Sequence, residues 1–192
     1  MRHRFAYLYG LVETFNLPGL LHDLSLGGIT LSNPANGRVT ALTPDGDQVD
    51  VTLDLLTVSV SSGDSITFQV WMPNHADVCC RFRHLAGNRI VEEYGLVGLN
   101  QDERSQVLHA LVERFSTKAA QEQHLFFVGD PEGYSIDVDW DELAVTGKYE
   151  PKVCPDFLGI PLQRLMDFER CRASSYRSTR IGEYLILRNS LR

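Results

Sequence analysis

Ser62 to Phe82 read SGDSITFQVWMPNHADVCCRF, and this stretch decides the fold class. Ile66, Phe68, Val70 and Met72 alternate with other residues, the period-two pattern of a strand with one buried face. Ser62-Gly63-Asp64 turns the chain into that strand. Pro73-Asn74 turns it out again into Val78-Cys79-Cys80-Arg81-Phe82. Strands joined by so short a turn pair antiparallel, because a parallel crossover needs a long connection. The stretch therefore predicts an antiparallel meander rather than a parallel sheet.

Working upstream, Arg38 to Leu42 reads as a strand that ends in the turn Pro44-Asp45-Gly46-Asp47. Val49 to Val60 also alternates, with Val49, Val51, Leu53 and Leu55 on one face and a change of phase at Leu55-Leu56. That change predicts a bulge or two strands run together. Phe5, Tyr7 and Tyr9 predict a first strand near 4–9, followed by a helical face of Leu11, Val12 and Phe15 with a boundary at Pro18.

Downstream, Asn100 with Glu103 three residues later has the form of a capping box. Val107, Leu108, Leu111, Val112 and Phe115 form one apolar stripe, so a helix is expected over 102–117. His124 to Val128 and Tyr134 to Trp140 read as strands paired across Asp130-Pro131-Glu132-Gly133. Pro151, Pro155 and Pro161 then punctuate a linker. A short helix is expected from Pro161, a loop over Arg172 to Arg180, and a last strand at Tyr184 to Leu187. The expected architecture is α+β: an antiparallel sheet, a packed amphipathic helix, and a helical or extended C-terminal extension. The α+β domain is placed at 1–150 and the basic extension at 151–192.

Composition narrows the functional classes. With 192 residues, 43% apolar and 22% charged, the chain is ordinary globular material of about one domain. The net charge of -7 is unevenly spread. Residues 1–150 carry 10 basic and 21 acidic groups, and residues 151–192 carry 8 basic and 4 acidic groups. No apolar run reaches the length of a membrane helix. Arg2 and Arg4 before Phe5 to Val12 imitate a signal peptide, but Glu13 interrupts the run and no small-x-small site follows. Cys79, Cys80, Cys154 and Cys171 contain no C-x-x-C. Adjacent Cys79 and Cys80 point to opposite faces of a strand. The cysteines are therefore expected as reduced thiols in a cytoplasmic protein.

The sharpest local feature is Asp137-Val138-Asp139-Trp140-Asp141-Glu142. On a strand, Asp137, Asp139 and Asp141 share one face, and Ile136, Val138 and Trp140 share the other. Such carboxylates suit three roles: a solvated acidic face over a core Trp, a surface for a protein partner, or oxygen ligands for Ca²⁺ or Mg²⁺ in a hydrolase. An EF-hand is excluded because Glu142 stands where that loop needs Gly. His3, His22, His75, His84, His109 and His124 form no H-E-x-x-H, and His109 reads as a residue at the boundary of its helix's apolar stripe rather than a ligand. There is no G-x-S-x-G, phosphate loop or dinucleotide fingerprint, so no cofactor is expected. Arg170, Arg172, Arg177 and Arg180 with Tyr176 between them could contact nucleic acid. The acidic body opposes that, and an acidic surface or partner is the simpler target.

Ile66 to Val70, Arg81-Phe82-Arg83, Tyr94 to Leu99, the 102–117 helix, Leu125 to Asp130 and Asp137 to Trp140 follow one another as strand, strand, helix, strand, strand. This layout over 66–142 resembles small α+β immunity proteins of bacterial polymorphic-toxin systems. The resemblance implies a protein that binds one cognate toxin and inhibits it without catalysis. The expected function is a non-enzymatic protein-binding module. Its contact face would be Asp130, Glu132, Asp137, Asp139, Asp141 and Glu142, and its partner a protein such as a basic toxin. The alternatives are a divalent-metal-dependent hydrolase using Asp137, Asp139 and Asp141, and a structural protein that oligomerises through Tyr184 to Leu187.

Overall fold

Antiparallel pairing propagates outward from residues 62–82 through all ten strands of the described residues. The computed structural model describes residues 3–122, 124–148, 151–168, 171 and 176–190. Its elements in chain order begin with β1 (Phe5–Leu11), a 3₁₀ turn (Val12–Thr14), α1 (Leu17–Leu26), β2 (Val39–Leu42), β3 (Gln48–Val51) and α2 (Leu53–Ser62). Then come β4 (Ile66–Trp71), β5 (Asp77–Leu85), β6 (Arg89–Gly95), α3 (Gln101–Ala119), β7 (Phe126–Asp130) and α4 (Trp140–Thr146). The last are β8 (Phe157–Pro161), a 3₁₀ segment (Leu162–Phe168), β9 (Tyr176–Ile181) and β10 (Tyr184–Asn189). The strands make one ten-stranded sheet in the order β3-β2-β4-β5-β6-β1-β7-β8-β10-β9. The α+β class expected from the sequence is the one observed.

The meander holds in register: Ile66 faces Phe82 and Val70 faces Val78 across β4 and β5. The helix at 101–119 starts at the expected capping box, with the Asn100 side chain accepting from the Glu103 N–H at 3.0 Å and Glu103 accepting from the Asn100 N–H at 2.7 Å.

Of the expected strands, one is mostly helix and another is a run of turns that ends at a helix start. Val49 to Val60 is only briefly extended, as β3. Thr52 then caps α2 by accepting from the Leu55 N–H at 3.2 Å, and Gly63 ends the helix in the left-handed region. Leu56 and Val60, four residues apart, supply its buried face, which is why the alternation slipped at Leu55-Leu56. Tyr134 to Trp140 is not a strand either. Asp139 caps α4 by accepting from the Glu142 N–H at 2.8 Å, and a capped first turn outweighs an alternation of four polar residues. Conversely, β6, β8 and β9 arise where no strand was expected. Within the expected loop Arg172 to Arg180, residues 176–180 belong to β9; Arg170 and Arg172 lie outside the described residues.

Helices cover both faces of the sheet. Leu17, Leu20 and Leu24 of α1, Leu56 and Val60 of α2, and Leu108, Leu111 and Phe115 of α3 pack with Ala6, Leu8, Phe68 and Phe82 on one side. Trp140, Leu143 and Phe168 pack with Phe5, Tyr9, Phe126 and Leu158 on the other. Within α3's interface a Cβ on Gly159 would lie 2.8 Å from the Phe115 ring, so the bare backbone of β8 is what lets α3 sit close.

A buried ion network crosses the first core. Arg114 of α3 donates to both Glu92 carboxylate oxygens at 2.7 and 3.2 Å and also pairs with Asp23 of α1. The Tyr94 hydroxyl donates to Glu92 at 3.0 Å. Arg114 and Glu92 are each only 3% exposed at the side chain.

The cysteines correct an expectation. Cys154 and Cys171 are bonded, with Cα atoms 5.5 Å apart across a separation of 17 residues, while Cys79 and Cys80 are free. Sequence spacing gives no warning of this pair, because the two residues meet only when the 3₁₀ segment returns the chain to β8. Cys154→Ser is expected to lower unfolding free energy by about 3 kcal/mol, the loop-closure value for a ring of this size. Urea denaturation with and without reductant measures it, and an equal loss in reduced wild-type protein completes the test.

Candidate functional site

Each carboxylate singled out in the sequence has a definite environment. Asp130 is fully buried and accepts from the Tyr134 N–H at 3.0 Å, the Ser135 N–H at 2.6 Å and the Ser135 hydroxyl at 2.6 Å. Glu132 takes Arg104 at 3.2 Å and Arg4 at 3.8 Å. Asp139 is the α4 cap. Asp141 accepts from the Tyr9 hydroxyl at 3.0 Å and pairs with Arg83 at 2.8 Å. Asp137 and Glu142 are exposed. Four of the six are thus engaged within the fold. Asp137, Asp139 and Asp141 do not share a strand face, and among the described residues no group of three or more His, Cys, Asp or Glu could hold a metal ion.

Around Asp141 the chain builds a closed polar cluster at a small cleft of about 160 Å³, lined by Tyr7, Arg83, Asp139 and Asp141. Arg83 reaches Asp141 on one side and Glu93 at 2.7 Å on the other. Burial first, then the carboxylates of Glu93 and Asp141, push the Tyr7 phenol up to about 12. Burial and Asp141 push Tyr9 further in the same direction. Both phenols are therefore neutral at ordinary pH, Tyr9 donates to Asp141, and the exposed imidazole of His3 lines the same cleft.

The Tyr7 shift has a measurable consequence. The folded state holds this proton more tightly than the unfolded chain, so the stabilisation is complete below pH 10 and is lost as pH rises toward 12. The melting temperature is expected to fall across that window, and Tyr7→Phe should flatten part of the fall. A fall of equal steepness in the variant would contradict the assignment.

The outer surfaces of the sheet are more informative. Its two edges carry opposite charge. β3 lies at one end of the strand order and pairs only with β2, which leaves its outer backbone edge open. Between Val39 and Cys80 the chain holds six Asp (Asp45, Asp47, Asp50, Asp54, Asp64 and Asp77) and no Lys or Arg. Asp50 pairs with Arg38 at 2.7 Å, and Asp64 accepts from Ser62 at 2.9 Å. With Asp54 on the same helix and Asp50 on β3, α2 presents large apolar groups to water: Leu55 is 51% and Val58 63% exposed, and Val49 of β3 is 42% exposed. Leu55 and Val58 are three residues apart, so they share the helix side opposite buried Leu56 and Val60.

At the other end, β9 carries Arg177 and Arg180 on a strand without an acidic residue. β10 is hydrogen-bonded on both sides, to β8 and to β9, so Tyr184 to Leu187 have no free edge with which to pair a second chain. The expected oligomerising strand is an interior strand. No helix among the described residues is long and apolar enough to cross a membrane.

The β3–α2 surface escaped the sequence reading because its strand assignment put Leu53 and Leu55 in the core. The signal that would have found it is Thr52 before an apolar run with Gly63 after it, a helix start and stop. No protein-family model, curated protein or solved structure matches this chain.

Proposed function

We propose that the chain is a non-enzymatic protein-binding module that docks a basic partner on the β3–α2 edge, in the manner of an immunity protein that neutralises a basic toxin. The observation that carries this reading is the pairing of outward apolar side chains, Leu55 and Val58, with a predominantly acidic surround in which Arg38, paired with Asp50, is outnumbered by Asp45, Asp47, Asp54 and Asp64 as well. Apolar side chains left in water beside one another are a common mark of an interface. A predominantly acidic surround speeds encounter with an oppositely charged partner and rejects like-charged ones. The open β3 edge adds main-chain donors and acceptors that an extended segment of the partner can use. The hydrolase reading needs three carboxylates on one face, and α4 disperses them. The oligomerising reading needs a free strand that β10 does not have.

The compartment follows from the same proposal. A cytoplasmic partner would meet the chain with Cys154 and Cys171 reduced, and an oxidising compartment would keep the bond. Alkylation of the protein in intact host cells, read by mass, distinguishes the two.

The test of function compares capture by the wild type and by a Leu55→Arg/Val58→Arg variant in extracts of the native host. Both positions are exposed, so the variant keeps its fold. A basic protein retained in stoichiometric amount by the wild type and absent from the variant is expected. Identical sets of retained proteins would overturn the reading.

A further inference from the structure

A groove of about 740 Å³ runs between α3 and the β8-β10-β9 end of the sheet. It lies at the opposite end of the strand order from the β3–α2 edge. Its floor carries an unusual pair: Arg177 of β9 stands directly opposite Arg188 of β10 in the strand register, and both are exposed in the groove. Like charges placed directly across two strands repel and destabilise a sheet. Several other arginines among the described residues are neutralised. Arg83, Arg114 and Arg164 each hold a carboxylate within 3.3 Å, and Arg180 pairs with Glu183 at 3.6 Å. Among the described residues neither Arg177 nor Arg188 has a carboxylate within ion-pair distance.

The surroundings fit a ligand rather than an accident of the surface. The Arg188 guanidinium lies over the Phe157 ring, 5.2 Å from its centroid, which braces one of the two cations in the groove. Exposed His109 and Ser105 stand on the α3 wall, and the Thr179 hydroxyl stands on β9 beside Arg177. Of the groove's other acids, Glu132 is occupied by Arg104 and Arg4, and Asp156, just before β8, is buried at 4% exposure. Glu113, one turn along α3 from His109, lines the same groove as an acceptor.

We propose that this groove binds a small organic phosphate of nucleotide or sugar-phosphate size, with its phosphate between Arg177 and Arg188 and its hydroxyl-bearing body against Val112 and Glu113. A phosphate monoester offers several anionic oxygens to two guanidinium forks at once and cancels the repulsion between the two facing arginines. The groove volume is that of a pocket for one small molecule. Glu113 accepts from a hydroxyl and turns away a second phosphate.

The test is calorimetric titration of the full chain with adenosine 5′-monophosphate, ribose 5-phosphate and inorganic phosphate, alongside the Arg177→Gln variant. At least one of the two organic phosphates is expected to saturate with a Kd below about 1 mM, and the variant to bind it at least about tenfold more weakly. Without ligand, Arg177→Gln is expected to melt no lower than the wild type, since the change removes a repulsion; this separates lost binding from lost folding. The Leu55→Arg/Val58→Arg variant is expected to bind the phosphate unchanged, so failure here and failure of the docking reading are told apart. The proposal is overturned if neither organic phosphate saturates, if inorganic phosphate binds as tightly as both, or if Arg177→Gln binds like the wild type.

Discussion

Arg114→Leu is expected to remove about 3–5 kcal/mol of stability, because it leaves a buried carboxylate without its cation. Glu92 sits on β6 in the middle of the sheet, beneath α3, and among the described residues the Tyr94 hydroxyl is the donor that would remain to its carboxylate. Asp23 on α1 would lose its partner in the same step. The cost is one of stranding a charge, so removing both ends together should restore much of it. Arg114→Leu/Glu92→Leu is expected to be more stable than Arg114→Leu alone, with a coupling that a double-mutant cycle in urea reads directly. Additive losses would mean that the two groups do not stabilise one another. The same burial pushes the Cys80 thiol well up, through desolvation and then Glu92, so Cys80 is expected to resist alkylation until the protein unfolds.

Phe115→Ala is the second large effect, also about 3–5 kcal/mol, from lost burial and the cavity left behind. Phe115 is fully buried on α3 and touches three parts of the chain: its ring stands 6.1 Å from Phe127 of β7 and 5.5 Å from Tyr184 of β10, and it fills the space over Gly159 of β8. The C-terminal strands are therefore tied to α3 by the same side chain that ties α3 to the central sheet. The variant should unfold at lower denaturant in one transition, coincident by near- and far-ultraviolet circular dichroism. Two separate transitions would show that residues 151–192 fold apart from the rest.

What the sequence revealed, it revealed through local signals. The β4–β5 meander and α3 were legible because alternation, a short turn and a capping box each act within a few residues. α2 and α4 were misread for one reason. Both begin with a polar cap, Thr52 and Asp139, inside a stretch that also alternates, and a hydrogen bond from the third helical N–H to the cap side chain decided between the two. β6 was hidden by Glu92 and Glu93, which look like solvent residues until Arg114 arrives from α3 and Arg83 from the neighbouring strand β5 to neutralise them. The acidic face at 130–142 failed as a continuous surface for a related reason: Asp130, Glu132, Asp139 and Asp141 find donors that sequence spacing does not display. The electrical polarity survives in sharper form, with its acidic pole at the β3 edge and its basic pole at β9.

The most direct measurement is the dissociation constant of the captured partner for the wild type and for Leu55→Arg/Val58→Arg. Two arginines in place of two apolar side chains at the acidic edge should weaken binding by about 100-fold or more, the combined effect of losing two anchors and meeting like charge. The melting temperature of the variant should stay within about 2 °C of the wild type, since neither side chain is in the core. Equal dissociation constants at unchanged melting temperature would contradict the docking surface.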